Sequence, residues 1–84
     1  MNSDPAVLAL SALGWVLAEE ARAARFLDLT GLTPEGLRTA IGDPATHRAV
    51  FEFLAAHEPD LLAAADALDV PPGDFIRAAQ ELGR

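Results

Sequence analysis

The side chains able to do chemistry are few and scattered. His47 and His57 stand ten residues apart, not at the i, i+4 spacing that brings two imidazoles onto one helix face. Either ring could move a proton, but neither has a nucleophile beside it in the chain. His57 suits the C-terminal end of a helix, where an imidazolium meets the negative dipole pole, and His47 reads as a surface residue. Asp66, Asp69 and Asp74 bracket one turn without the alternating acids and terminal Glu of a calcium loop. Cysteine is absent, which excludes disulfides and thiolate zinc sites. Ser3, Ser11, Thr30, Thr33, Thr39 and Thr46 lack any nucleophile-elbow context. Gly31 and Gly42 read as helix stops, not as a phosphate cradle. No catalytic, metal or cofactor-binding residue is assigned, and the chain is expected to be no enzyme.

One stretch has a sharper rhythm. Leu61 to Arg77, LLAAADALDVPPGDFIR, reads as helix, tight turn, helix, with a weaker copy over Phe26 to Ile41. A helix that reads DNA needs cations and amides. The second helix here offers Asp74, Arg77, Gln80 and Glu81. Thirteen acids against six bases give a net charge of −7, and every base is an arginine. Such a chain repels polyanions and anionic membrane surfaces alike, so neither nucleic acid nor membrane is an expected partner. The uncharged run Pro5–Ala18 falls short of the roughly 20 apolar residues a span requires. The acidic start Met1-Asn2-Ser3-Asp4 is unlike a secretory signal, so a cytoplasmic location is expected.

Punctuation defines the elements that carry these groups. Asp4-Pro5, Thr33-Pro34 and Asp43-Pro44 each pair a capping residue with a proline, which is tolerated in the first turn because no intrahelical partner awaits its missing N–H. Glu58-Pro59 and Pro71-Pro72 mark two further starts, and Gly31, Gly42 and Gly83 mark stops. Helices are predicted over 5–18, 20–30, 34–41, 44–57, 59–68 and 72–82. Glu19-Glu20-Ala21-Arg22 holds no breaker, so the first two could run together as one kinked helix. No segment alternates with period two, so no strand is predicted. Val50, Phe53, Leu54 and His57 share one face of the fourth helix, Leu61, Ala65 and Leu68 one side of the fifth, and Phe75, Ile76, Ala79 and Leu82 one side of the sixth. In the second helix Arg22 and Arg25 are expected outside, with Phe26 and Leu29 inside.

The first helix is apolar almost all round. Val7, Ser11, Gly14 and Ala18 form a narrow seam of small residues. Leu8, Ala12, Trp15 and Val16 cover one flank; Ala9, Leu10, Leu13 and Leu17 cover the other. A helix of this kind is either central to the core or partly covered by another chain. Leu8, Ser11, Ala12 and Trp15 are the candidate partner interface, with Trp15 as anchor.

A repeat is also legible. Asp4-Pro5-Ala6 returns as Asp43-Pro44-Ala45, and after a one-residue deletion Leu32-Thr33-Pro34 aligns with Val70-Pro71-Pro72. Residues 4–42 and 43–83 are therefore candidate three-helix units related by a pseudo-twofold axis.

The stretch Arg25-Phe26-Leu27-Asp28-Leu29-Thr30-Gly31-Leu32-Thr33-Pro34-Glu35-Gly36-Leu37-Arg38, followed by Gly42-Asp43-Pro44, resembles the small bacterial proteins catalogued as domain of unknown function 3572. Phe53-Leu54, Glu58 and Leu68-Asp69-Val70-Pro71 fit the same pattern. The resemblance implies one compact helical domain in a bacterial cytoplasm and brings no site residues. The expectation is an all-α bundle of about six short helices over 1–84. It would act as an interaction or regulatory module that docks an unidentified protein or a second copy of itself. The alternative is a small-ligand-binding or enzyme-accessory protein with a pocket between the halves, rimmed by His57, Trp15 or Arg48, and a helix-turn-helix-like nucleic-acid regulator ranks third.

Overall fold

The computed structural model describes residues 4–83. Met1 to Ser3, including the Ser3 hydroxyl, and Arg84 lie outside the described residues. Six α-helices follow one another: α1 (Pro5–Leu17), α2 (Glu20–Thr30), α3 (Pro34–Ala40), α4 (Pro44–Ala55), α5 (Glu58–Leu68) and α6 (Pro72–Leu82). No strand occurs among the described residues. The capping logic holds where the sequence placed it. Asp4 accepts from the Ala6 N–H at 2.9 Å, Asp43 from Ala45 at 3.0 Å and Thr33 Oγ1 from Gly36 at 3.0 Å. Each satisfies one backbone donor that the first helical turn leaves unpaired.

The first two helices form separately, as predicted, and not as one kinked helix, while the fourth ends early. α1 and α2 are separate, because Glu19 is extended (φ −119°, ψ 128°) and the chain turns at Ala18. The turn is held by a side chain from α2. Arg22 donates from Nη2 to the Trp15 carbonyl and lays its guanidinium over the Trp15 ring, 3.5 Å from its centroid. α4 stops two residues before its predicted end, because His57 is extended (φ −140°, ψ 96°) and caps α5 instead.

The centre of the molecule is α4, which packs against α1, α2, α5 and α6. It buries Val50, Phe51, Phe53 and Leu54 on several sides. Phe53 meets Phe26 of α2 edge-on, with centroids 5.4 Å apart, and Phe51 meets Phe75 of α6 at 6.0 Å. Each fully buried phenylalanine contributes roughly 2–3 kcal/mol of apolar transfer free energy. α1 closes the core with Leu8, Ala9, Ala12, Leu13 and Val16. α3 is attached more lightly, through the buried Leu37. The two candidate three-helix units are thus packed differently, since α6 lies against both α4 and α1 while α3 has no contact of that extent. The radius of gyration is 11.6 Å, close to the ~11.8 Å that compact packing gives a chain of this length.

The inward face of α2 is rotated from its expected position. Arg22, Ala23, Phe26, Leu27 and Thr30 turn inward, whereas Leu29 is 70% exposed. The buried side runs from Phe26, which meets Phe53 of α4, towards Leu27 and Thr30, and Leu29 stands about 60° round the helix on the other side of Phe26. In α6, Ile76 is likewise exposed, and Ala78 takes the buried position beside Phe75.

Candidate functional site

The groups able to do chemistry are occupied with structural tasks. His47 is buried, and its Nε2 lies 2.7 Å from the Ile41 carbonyl at the end of α3. A carbonyl only accepts, so Nε2 carries the proton. His57 is the exposed histidine. Its Nδ1 lies 3.0 Å from Asp60 Oδ2, the carboxylate that also pairs with Arg25. The sequence assigned the two roles the other way round, with His57 at a helix C-terminus and His47 on the surface.

Arginines are spent in the same way. Arg22 closes the end of α1, and Arg48 Nη1 donates to the Leu82 carbonyl at the end of α6 over 3.3 Å. The Leu82 carbonyl is one that a helix terminus leaves unpaired, whereas the Trp15 carbonyl accepts from the Ala18 N–H as well, at 3.2 Å. Arg77 pairs with Asp74 one turn away on α6 at the surface, the one cation of the helix-turn-helix-like segment Leu61 to Arg77 facing an acid of its own helix. Among the described residues no group of three or more His, Asp or Glu could hold a metal ion. Asp66 and Asp69 rim a groove of ≈ 460 Å³ whose floor is Leu62, Ala65, Val70 and the Pro71-Pro72 turn. His57, Trp15 and Arg48, the residues expected to rim a ligand pocket, do not line it. No helix of the described residues is long and apolar enough to cross a membrane.

The candidate interface on α1 divides. Leu8 is 6% exposed and Ala12 0%, so both belong to the core and neither can meet a partner. Trp15 is half-buried against the core and covered by Arg22. Ser11 alone of the four is exposed. The correction has a geometric cause: the core takes the flank of the helix that carries Leu8, Ala12 and Val16, together with Ala9 and Leu13 from the other flank.

What remains outside is the small-residue seam and its remaining large neighbours. Val7 is 60% exposed, Leu10 42% and Leu17 39%, and Ser11, Gly14 and Ala18 lie exposed among them. At roughly 100° per residue these six side chains fill one continuous arc of about 120° on the solvent side. None of them carries a charge. An ordinary surface helix puts its charged and polar residues there. A Cβ added at Gly14 would meet nothing within 4 Å, so no packing inside the molecule requires glycine. Glycine in a helix interior nevertheless costs about 1 kcal/mol relative to alanine. The signal for this face was present in the sequence as the Val7–Ser11–Gly14–Ala18 seam; which of the three arcs faced solvent was not.

No curated protein and no solved structure matches the chain. A family model described as a protein of unknown function does match, over residues 2–84. The chain belongs to that family, DUF3572.

Proposed function

We propose that the chain is a non-enzymatic interaction module of the cytoplasm, and that it docks another helix on the outer face of α1. The observation that carries this reading is the uncharged, solvent-facing arc of Val7, Leu10, Ser11, Gly14, Leu17 and Ala18 on a chain of net charge −7. Exposed apolar side chains scattered singly are ordinary, but a contiguous set on one element is a mark of association. Small residues at the centre of the face allow a second helix to approach closely, and the flanking Leu10 and Leu17 supply apolar area. Nucleic acid is a poor occupant, since the arc holds no cation and the chain carries a net charge of −7, while phosphates need cations to bind them. The small-ligand alternative draws its support from the groove beside Leu62 and Val70.

The test is photo-cross-linking in living cells. A photoreactive side chain at Leu10 should give one defined adduct, and the same group at the exposed Ala67 on α5 should give none. Equal, diffuse labelling at both positions would remove the docking reading.

A further inference from the structure

We infer that the groove at the end of α5 binds a basic segment of a protein partner. The cationic head of a lysine or arginine sits between Asp66 and Asp69, and its aliphatic stem lies on Leu62 and Val70. The groove shares no residue with the outer arc of α1, so the inference stands whether or not that arc docks a helix. Its volume of ≈ 460 Å³ is at the lower end of the roughly 300–1,000 Å³ of ligand sites, enough for a side chain and an apolar neighbour.

Charge is the first argument. Asp4 and Asp43 cap helices, Asp60 pairs with Arg25, and Asp74 pairs with Arg77. Asp66 and Asp69 form no ion pair among the described residues. They stand in the last turn and at the C-cap of α5, where the helix dipole already presents its negative pole. Helices commonly place a base there, and the last turn of α5 has none. Two carboxylates and a helix C-terminus thus converge on a groove whose lining includes no cation. The facing wall does not favour an anion. Pro71 and Pro72 have no N–H to donate, and Asp74 offsets the positive pole of α6.

The floor is the second argument. Leu62 is 48% exposed, and Ala65 and Val70 continue the apolar surface to the Pro71-Pro72 turn. A small inorganic cation gains nothing from such a floor. Lysine and arginine bury their stems on apolar surface while the head stays at the wet rim, and arginine matches carboxylates with a planar fork of donors. A peptide also brings a neighbouring apolar side chain for Leu62, which a free polyamine lacks. A second copy of this chain brings the same surplus of thirteen acids over six bases, and a nucleic acid brings anions.

The test is fluorescence anisotropy of a labelled hexapeptide alternating leucine and arginine, titrated with the full chain, with amide chemical shifts locating the contact. Saturable binding is expected, with the largest shifts over residues 62–70. It should weaken severalfold from about 0.05 M to about 0.3 M salt, as the pairing is screened. Asp66→Asn combined with Asp69→Asn should weaken it about tenfold or more at unchanged far-UV helicity. Asp28→Asn combined with Glu52→Gln removes the same charge from exposed positions outside the groove, and should change binding by less than about twofold. Should the first double variant unfold, Asp69→Gly decides alone. It should weaken binding severalfold while raising the melting temperature, because glycine adopts the φ of 58° freely. No saturation up to about 1 mM chain overturns the proposal. So do equal losses in the two double variants, which would leave net charge as the whole attraction, and shifts centred away from the groove. Equal affinity for spermidine, or for a hexapeptide alternating glycine and arginine, also overturns it, because neither brings an apolar side chain to the floor.

Discussion

At the scale of the residue, the two histidines show what spacing reveals and what it hides. Their separation correctly ruled out a shared helix face. Their roles depended on the turn between α3 and α4, which local sequence does not display. Gly42-Asp43-Pro44 folds the chain back so that His47, on the first turns of α4, reaches the Ile41 carbonyl it has just left. His47→Ala would leave that carbonyl short of a donor and open a cavity in place of a buried ring. A destabilisation of about 2–3 kcal/mol is expected from the two effects together, read as a lower urea midpoint at unchanged slope. His57→Ala, on an exposed side chain, should shift the midpoint by less than about 0.5 kcal/mol. Comparable losses for both would show that the Ile41 contact is not what His47 contributes.

Elements were the most legible level. Proline and capping residues placed five of the six starts to within a residue, all but that of α2, because the reason for a cap is local and lies within three residues of it. The break between α1 and α2, expected although no breaker residue marks it, is held by a contact seven residues apart, the reach of Arg22 back to Trp15. Burial of α1 was half legible for a related reason. A helix that is apolar all round carries no information about which arc the rest of the chain will cover, and the choice was made by α4, α5 and α6 packing on one side. Helix ends offer a paired test of local backbone cost. α2 and α5 both stop at a left-handed residue, Gly31 (φ 75°) and Asp69 (φ 58°). Glycine adopts that region freely and aspartate at some cost. Asp69→Gly should therefore stabilise the fold by about 0.5–1 kcal/mol, and Gly31→Ala should destabilise it by about 1 kcal/mol. Space is not the issue at Gly31, since an added Cβ there meets nothing within 4 Å. Thermal melts of the two variants should move in opposite directions; a shared direction would mean that the side chains, not the backbone, set these stops.

The whole molecule adds a property that neither residues nor helices show singly. Arg22, Arg25, Arg48 and Arg77 engage helix ends or Asp60 and Asp74, through partners such as Arg25–Asp60 and Arg48–Leu82 that lie far apart in sequence. Counting charges gave the net value but not this division between short internal pairs and an acidic remainder. The two respond to salt over different ranges. The molecule measures 32 × 26 × 18 Å, and the Debye length is about 30 Å at 0.01 M salt and about 8 Å at 0.15 M. At low salt nearly every carboxylate repels every other across the fold; at physiological salt only neighbours interact. The close pairs are screened much less, because their partners touch. Raising salt should therefore remove more repulsion than attraction and stabilise the folded chain. A gain of roughly 0.5–1 kcal/mol would raise the melting temperature of a domain this small by about 3–6 °C. The measurement belongs at a few micromolar protein, so that folding alone is read. A melting temperature that falls with salt would show that the arginine pairs outweigh the acidic excess.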